Sequence, residues 1–267
     1  MSAAMFVQAA GSGVPELVFV HGLACDHGDW AAQVAEFGAR QAVLACDLRG
    51  HGRTPGRAAD GSIETLGADV AQLVTARGLR EPILVGHSLG CRVVLEAYVR
   101  APARVAGLVL VDGSRLGDED PAQAEAAMRA AIDFVGFPAF AEAFFGAMFL
   151  RPGADAARVV ARAKRLPGEL GATLFAAMAR WDAARMDAAL DAVQVPLMLI
   201  QTTTLSRERK RVALKAGESS AWIDLVRRRV PGARVEVIAG VGHFPQLEVP
   251  AQVNALLASF VGSLAEF

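Results

Sequence analysis

Short apolar-rich runs, four or five residues long, recur along the chain and are separated by longer amphipathic stretches. The runs are LVFV (17–20), AVLAC (42–46), ILVG (83–86), GLVLV (107–111), PLMLI (196–200) and RVEVI (234–238). Runs of this length are typical of strands buried on both faces of a parallel sheet, and the stretches between them are typical of covering helices. The pattern predicts an α/β fold with a mainly parallel sheet flanked by helices.

Three of the intervening stretches carry clear helix signals. Residues 62–77 form an amphipathic segment with Ser62 in position to cap its first turn, and residues 91–100 follow the third apolar run directly. Residues 251–264 are predicted to form a closing helix because Pro250 stands just before the first turn, where proline is favoured.

One interval breaks the alternation of strands and helices. Residues 113–193 contain no convincing strand and are rich in alanine and in large apolar residues, namely Phe134, Phe137, Phe140, Phe144, Phe145, Met148, Phe149, Met178 and Trp181. An interval of this length far exceeds an ordinary connection. We expect a core formed by residues 1–112 and 194–267, with 113–193 as a helical lid whose aromatic part, 134–149, faces a pocket. The same aromatic spacing also fits ordinary helix packing.

Composition narrows the class of protein. The 267 residues suit one α/β domain with an inserted segment, and 27 Lys and Arg against 28 Asp and Glu leave no basic excess for nucleic acid. The three cysteines, Cys25, Cys46 and Cys91, have no Cys-x-x-Cys spacing. The N-terminus lacks a basic leader, and no apolar segment reaches the ~20 residues of a membrane helix. We therefore expect a soluble, cytoplasmic protein without membrane association; the oligomeric state stays open.

The first candidate for a catalytic motif is Gly86-His87-Ser88-Leu89-Gly90, which joins a predicted strand to a predicted helix. Such a Gly-x-Ser-x-Gly turn is typical of a serine nucleophile presented on a sharp bend, where the flanking glycines avoid Cβ clashes. A serine hydroxyl needs a base to accept its proton and a third group to orient that base. The rest of the chain has to supply both.

In these features the chain resembles the α/β-hydrolase family. The resemblance covers nearly the whole chain and includes His21-Gly22 after LVFV, the run Asp47-Leu48-Arg49-Gly50-His51-Gly52, the GHSLG turn, and Gly242-His243 near the end. In that family the His-Gly loop supplies an amide of the oxyanion hole and the late histidine is the base. The resemblance therefore implies Leu89 and Leu23 as the two oxyanion-hole donors, with Ala24 as the neighbour of Leu23.

Among the five histidines, His243 is the predicted base. It follows the strand RVEVI on a glycine-rich loop and comes after the serine in chain order. His21 and His51 adjoin glycines in turns and are expected to bond to backbone, and His87 is expected to point away from Ser88. No pair of histidines has metal-ligand spacing, so we predict neither a metal nor a cofactor.

The acid is the member of the triad that departs from the family pattern. Similar hydrolases place an aspartate shortly after the strand that is PLMLI here, but the next residues are Gln-Thr-Thr-Thr-Leu. Asp112, at the end of GLVLV, is the preferred substitute, and some relatives of the family take their acid from this earlier strand. Glu208 and Asp224 remain alternatives. The surrounding run SRERKR, residues 206–211, is expected to be a solvated basic segment.

A serine at position 88 argues against resemblance to haloalkane dehalogenases and epoxide hydrolases, which use a carboxylate there. We predict a serine hydrolase that cleaves a carboxylic ester or lactone with an apolar acyl or alcohol group through an acyl-enzyme. The residues predicted to contact substrate are Trp30, Phe144, Phe145 and Phe244, with Cys25 near them. Alternatives of the same fold are a carbon–carbon bond hydrolase, a cofactor-free dioxygenase that uses the His–Asp pair, and a ligand-binding receptor.

Overall fold

The computed structural model describes residues 5–14, 16–117, 119–151, 153–206 and 210–264. Seven strands form one sheet in the spatial order β1-β3-β2-β4-β5-β6-β9. These strands are β1 (Val7–Ala10), β2 (Leu17–Val20), β3 (Val43–Cys46), β4 (Ile83–His87), β5 (Gly107–Val111), β6 (Leu197–Gln201) and β9 (Arg234–Val237). Strand β1 pairs antiparallel with β3, and the other neighbouring strands pair in parallel. The predicted α/β fold with a mainly parallel sheet is confirmed.

Eleven α-helices accompany the sheet in the part of the chain that the structure describes. Their bounds are α1 (Ala31–Gly38), α2 (Ile63–Ala76), α3 (Leu89–Arg100), α4 (Pro121–Val135), α5 (Phe137–Gly146), α6 (Ala154–Ala163), α7 (Gly168–Ala184), α8 (Met186–Asp191), α9 (Ala221–Arg229), α10 (Pro245–Glu248) and α11 (Pro250–Leu264). The prediction for α2 is confirmed, and the Ser62 hydroxyl accepts a hydrogen bond from the Thr65 N–H at 3.1 Å. Helix α3 begins two residues before the predicted Cys91.

Alternating side chains of each central strand supply two separate cores. In β2, Leu17 and Phe19 join the cluster that includes residues of α1 and α11, whereas Val18 and Val20 join the cluster with α2 and α3. Every residue of β2, β4, β5 and β6 is buried. This two-sided burial explains why these strands read as continuous apolar runs instead of alternating ones.

Register brings two predicted site residues side by side. His87, the last residue of β4, pairs with Val111, the last residue of β5. Ser88 and Asp112 therefore leave adjacent strands at the same edge of the sheet. Ligand and catalytic sites of open α/β sheets gather at this carboxyl edge.

Between β5 and β6 the chain forms helices α4 to α8, with no strand in the described portion of residues 113–193. A two-stranded antiparallel hairpin follows β6, formed by β7 (Thr203–Leu205) and β8 (Arg211–Ala213). The predicted solvated basic segment is therefore wrong at Arg211, which lies in a strand. Glu208 lies outside the described residues. No described helix combines the length and apolar character needed to cross a membrane.

Candidate active site

The turn between β4 and α3 holds Ser88 in a strained backbone conformation. Its φ of 55° and ψ of −112° are unusual for a residue with a side chain, and such geometry costs on the order of 1–3 kcal/mol. A Cβ atom on Gly86 would lie 2.2 Å from the Gly90 carbonyl oxygen, and one on Gly90 would lie 2.4 Å from the Val20 carbonyl oxygen. Both glycines are therefore required for the chain to bend here.

Asp112 follows β5 directly, with φ of 44°, and is completely buried. One of its carboxylate oxygens, Oδ2, lies 2.6 Å from Nδ1 of His243, which comes from the loop between β9 and α10. The other, Oδ1, accepts hydrogen bonds from the backbone N–H groups of Thr202 at 2.8 Å and Thr203 at 2.7 Å. The two residues that follow β6 thus hold the carboxylate in place and align it with the imidazole.

Hydrogen bonds from several elements hold the His243 loop. The His243 N–H donates to the Met148 carbonyl at 2.8 Å, and the His243 carbonyl lies 2.8 Å from Nε2 of His87. The Thr202 hydroxyl donates to the Gly242 carbonyl at 2.7 Å. With Nδ1 bonded to Asp112, Nε2 is the imidazole nitrogen left for proton transfer.

The protonation states of this pair suit a resting base. Burial opposes ionisation of Asp112, but the hydrogen bond and charge of His243, together with Arg211, outweigh it and lower the pKa of Asp112 to about 2. Burial, reinforced by the Arg211 charge, lowers the pKa of His243 to about 4. Near neutral pH, Asp112 is ionised and His243 is uncharged.

Arg211 is the site residue that the sequence analysis missed. Its side chain is only 7% exposed and its guanidinium lies 3.3 Å from Asp112 Oδ2. The same group donates to the Thr203 hydroxyl at 2.9 Å and to the Ser114 hydroxyl at 3.2 Å. The flanking residues Thr-Thr-Thr-Leu and Val-Ala-Leu show no polar–apolar alternation, so the sequence carried no clear signal for a hairpin that turns Arg211 inward.

A small cavity brings most of the predicted residues together. Its lining includes Gly22, Leu23, Cys25, His87, Ser88, Ser114, Leu116, Phe144, Phe145, Met148, Phe175, Met178, Arg211, His243 and Phe244. The cavity encloses about 20 Å³, which is space for one water-sized group. Ser88 and His243 share this cavity, and the described contacts include no hydrogen bond between the Ser88 hydroxyl and the imidazole. Catalytic hydrogen bonds are commonly loose before substrate binds.

The loop after β2, residues 21–26, lies against the Ser88 turn. A Cβ atom on Gly22 would lie 3.2 Å from the Ser88 Cβ, so the two segments touch. Ala24 in this loop has φ of 55°. Within the described residues, the backbone N–H groups of Leu23 and Leu89 have no hydrogen-bond partner. Two unpaired amide donors therefore flank Ser88, although Leu89 itself is buried and is not part of the cavity lining.

Helix α6 of the inserted segment contacts the same loop through Arg162. Its Nε donates to the Ala24 carbonyl at 2.8 Å, and its terminal nitrogens pair with Asp26, at 2.8 Å, and with Asp29. The side chain is 15% exposed. One arginine thus fastens the inserted segment to the loop that carries Leu23.

His21 and His51 have backbone partners, as predicted. His21 Nε2 accepts from the Leu48 N–H at 2.9 Å, and His51 Nδ1 lies 3.1 Å from the Arg49 carbonyl. His87 also has a backbone partner, since its Nε2 lies 2.8 Å from the His243 carbonyl, and the residue lines the cavity with Ser88. Its position at the end of a buried strand on the carboxyl edge of the sheet was the signal for this placement.

Among the predicted substrate contacts, Phe144, Phe145 and Phe244 line the cavity and Trp30 does not. Trp30 is completely buried, and its ring centroid lies 4.8 Å from that of Phe19, in the core on the other face of the sheet. Its predicted contact with substrate is therefore corrected to a core packing role. The aromatic part of the insertion does not face the cavity throughout, since Phe134 is 90% exposed.

A second buried arginine lies behind Ser88. Arg92, in α3, binds both carboxylate oxygens of Asp182, in α7, at 2.7 and 2.6 Å, and the two side chains are 1% and 0% exposed. Arg92 also donates to the Ser114 carbonyl at 2.7 Å, and Asp182 accepts from the Leu116 N–H at 2.8 Å. This pair joins α3 to the inserted segment.

Known proteins resemble the chain over most of its length. A dihydrolipoyllysine-residue acetyltransferase component of the acetoin cleaving system of Cupriavidus necator is 27% identical over 263 residues, which are 94% of this chain and 65% of that protein. The chain thus spans under two thirds of that relative's length. A pimeloyl-[acyl-carrier protein] methyl ester esterase of Methylococcus capsulatus is 39% identical over 110 residues, 41% of each chain.

Among solved structures, that of Est816, described as an N-acyl homoserine lactone degrading enzyme, superimposes with a TM-score of 0.75 at 27% identity over 96% of each chain. The sequence model of the alpha/beta hydrolase family matches residues 17–256. That match spans every strand of the sheet except β1, and it includes the Ser88 turn, Asp112 and the His243 loop. The chain therefore belongs to the α/β-hydrolase family.

Proposed function

We propose that the protein is a serine hydrolase that cleaves a carboxylic ester or lactone through an acyl-enzyme. The observation that supports this most is the 2.6 Å contact between Asp112 and His243 in the cavity that Ser88 lines. Nucleophile, base and orienting acid are the three parts that acyl transfer to a hydroxyl requires.

In the proposed reaction, His243 Nε2 takes the proton of the Ser88 hydroxyl while the oxygen bonds to the substrate carbonyl carbon. The carbonyl electron pair moves to its oxygen, which becomes an oxyanion. When the tetrahedral intermediate collapses, the bond to the alcohol oxygen breaks and the imidazolium returns its proton to that leaving group. Water then repeats both steps on the acyl-enzyme and releases the acid.

The unpaired N–H groups of Leu23 and Leu89 are the proposed oxyanion hole. They belong to two segments that touch at Gly22 and Ser88, so both are near the carbon that Ser88 would attack. Removal of one such donor typically costs about 3 kcal/mol of transition-state stabilisation. Because the donors are backbone amides of buried residues, they are fixed before substrate arrives.

Residues 113–193 are the proposed lid. Phe144, Phe145, Phe175 and Met178 from α5 and α7 line the cavity, which favours apolar acyl or alcohol groups. A cavity of about 20 Å³ is far below the ~300–1,000 Å³ of ordinary ligand sites, so the lid has to move before an ester can bind. Relatives named as a methyl ester esterase and a lactone-degrading enzyme support this substrate class.

The test is turnover of nitrophenyl esters of graded acyl length by the wild-type protein and by Ser88→Ala. We expect a burst of nitrophenol with wild type and a loss of about 10⁴-fold or more with Ser88→Ala, since loss of a triad member commonly costs that much. Ser263→Ala removes a hydroxyl whose partner among the described residues is the Phe260 carbonyl in α11, and it is the matched control. Retention of more than about a hundredth of the wild-type rate by Ser88→Ala contradicts covalent catalysis by Ser88.

A second candidate activity, cofactor-free dioxygenation, is favoured by the Asp112–His243 pair alone. A paired imidazole can deprotonate a heteroaromatic substrate without a serine. In that case oxygen is consumed with a hydroxyquinolone, no nitrophenol burst occurs, and Ser88→Ala keeps most of the activity. Measuring both reactions on both proteins separates the two proposals.

A further inference from the structure

We propose that Arg211 is a positioning residue of this active site, which holds Asp112 and keeps the His243 imidazole uncharged until substrate is attacked. The proposal rests on the function proposed above, because it assigns Arg211 a role in preparing the base of that reaction. It concerns a residue that no triad requires and that the hairpin after β6 brings into the cavity.

The geometry of the β7–β8 hairpin supports a role for Arg211 in holding Asp112. Strands β7 and β8 stand where the chain continues from β6, and their register pairs Thr203 with Ala213 and Leu205 with Arg211. Thr203 gives both its N–H and its hydroxyl to Asp112, at 2.7 and 2.6 Å. Arg211 donates to the same Thr203 hydroxyl at 2.9 Å and contacts Asp112 at 3.3 Å. The hairpin thus supplies the hydrogen-bond donors and the cation that surround one carboxylate.

The charged and titratable groups around His243 also support a role for Arg211. The groups that face or flank it are Asp112 from β5, Arg211 from β8, Arg92 from α3, His87 from β4 and Glu248 from α10. Arg92 is balanced by Asp182 in a bidentate pair, and burial keeps the pKa of His87 well below its ordinary value. Glu248 accepts from the N–H groups of Gly242 and Phe244, on either side of His243. Asp112 and Arg211 are therefore the decisive opposite charges.

Their balance sets the resting state of the base. A buried carboxylate alone beside an imidazole favours the imidazolium, which cannot accept the serine proton. Arg211 offsets that attraction and helps lower the pKa of His243 to about 4. In this proposal, His243 accepts the Ser88 proton only as negative charge develops on the substrate oxygen. Arg211 also lines the cavity, and among the described lining residues it is the one with a permanently charged side chain.

The experiment compares Arg211→Met, which removes the charge and keeps most of the volume, with Arg211→Lys, which keeps the charge. The rate constant kcat/KM for a nitrophenyl ester is measured from pH 4 to pH 9. Because the base must be uncharged, wild-type activity rises with pH through about 4. In Arg211→Met we expect this acid limb to move up by about 1 to 3 pH units, so that activity at pH 5 falls between about twofold and about a hundredfold relative to pH 8.

Arg211→Lys is expected to restore the acid limb to within about half a unit of wild type, because the charge returns. Arg228→Met removes an exposed arginine of α9 outside the cavity and is the matched control with an unchanged profile. An acid limb of Arg211→Met that coincides with wild type overturns the proposal. If Arg211→Met does not fold, Arg211→Gln, which retains hydrogen-bond donors without charge, gives the same comparison.

A second measurement separates this proposal from the proposed function. The His243 ring is titrated by NMR in Ser88→Ala protein and in Ser88→Ala/Arg211→Met protein, where no turnover is needed. A higher midpoint in the double variant supports the role of Arg211 even if no ester is cleaved. Equal midpoints overturn it even if wild type hydrolyses esters readily.

Discussion

Two buried arginine–aspartate pairs stand on either side of Ser114, and they differ in how the carboxylate is used. Arg92 binds both oxygens of Asp182, at 2.7 and 2.6 Å, whereas Arg211 makes a single contact of 3.3 Å with Asp112. Arg92 reaches the Ser114 carbonyl and Arg211 its hydroxyl. The same two residue types thus form one saturated pair, in which both carboxylate oxygens bind the arginine, and one loose pair with a single longer contact. Ser114 connects the two pairs.

This difference indicates which of the two carboxylates can take part in catalysis. Asp182 is occupied by Arg92 and the Leu116 N–H, and no histidine of the cavity reaches it among the described contacts. Asp112 keeps an oxygen for His243, and its pKa is lowered to about 2, whereas burial raises the pKa of Asp182 above its ordinary value. A buried pair in which the arginine binds both carboxylate oxygens can hold helices together. A pair that leaves one carboxylate oxygen in contact with a histidine can orient that histidine as a base.

The largest effect is expected from Asp112→Asn, measured as kcat on an activated ester. The amide stabilises the wrong imidazole tautomer and cannot offset the imidazolium charge, so kcat should fall by about 10³ to 10⁴. The amide oxygen can still accept from Thr202 and Thr203, but Arg211 loses its buried counter-charge, so the melting temperature should fall as well and kcat is compared at a temperature where the variant is folded. A kcat within tenfold of wild type would show that the two pairs do not differ in function.

Asp182→Asn should have the opposite profile. It leaves the Arg92 charge buried without its partner, so the free energy of unfolding should fall by about 3–5 kcal/mol in urea titrations. At a temperature where the variant is folded, kcat should stay within about tenfold of wild type, because no reacting group has changed. A loss of kcat as large as that of Asp112→Asn, without loss of stability, would reverse the assignment.

Replacing both partners of the saturated pair sharpens the comparison further. In Arg92→Met/Asp182→Leu no charge remains buried, and substitution of a whole buried pair by apolar residues is often near neutral. We expect the double variant to unfold at a higher urea concentration than Asp182→Asn. A double variant less stable than the single one would mean that the hydrogen bonds to Ser114 and Leu116 dominate instead.

The smallest effect is expected from Glu208→Gln. This residue was the alternative acid and lies outside the described residues. With Asp112 in contact with His243, the base already has its orienting carboxylate, so kcat should stay near wild type. Any loss approaching that of Asp112→Asn would move the acid to the segment after β6.

The sequence predicted the sheet and the positions of Ser88, Asp112 and His243 because apolar runs and turn glycines mark strand ends directly. It could not predict Arg211, because three-residue strands carry too little periodicity to distinguish a hairpin from a solvated charge run. Trp30 was misplaced for a different reason. Its closeness in sequence to Leu23 says nothing about which face of the sheet its side chain meets, and that face is decided by packing against Phe19.

The contact between Arg162 and the Ala24 carbonyl ties the insertion to the loop that carries Leu23. Any equilibrium in which the insertion moves is therefore coupled to the order of that loop, and thermodynamic coupling acts equally in both directions. If the Leu23 amide binds the oxyanion as proposed, a transition-state analogue that immobilises it should also slow proteolytic cleavage within α6. Under the same proposal, the free energy that orders the Leu23 loop around the oxyanion also holds the insertion closed over the acyl group.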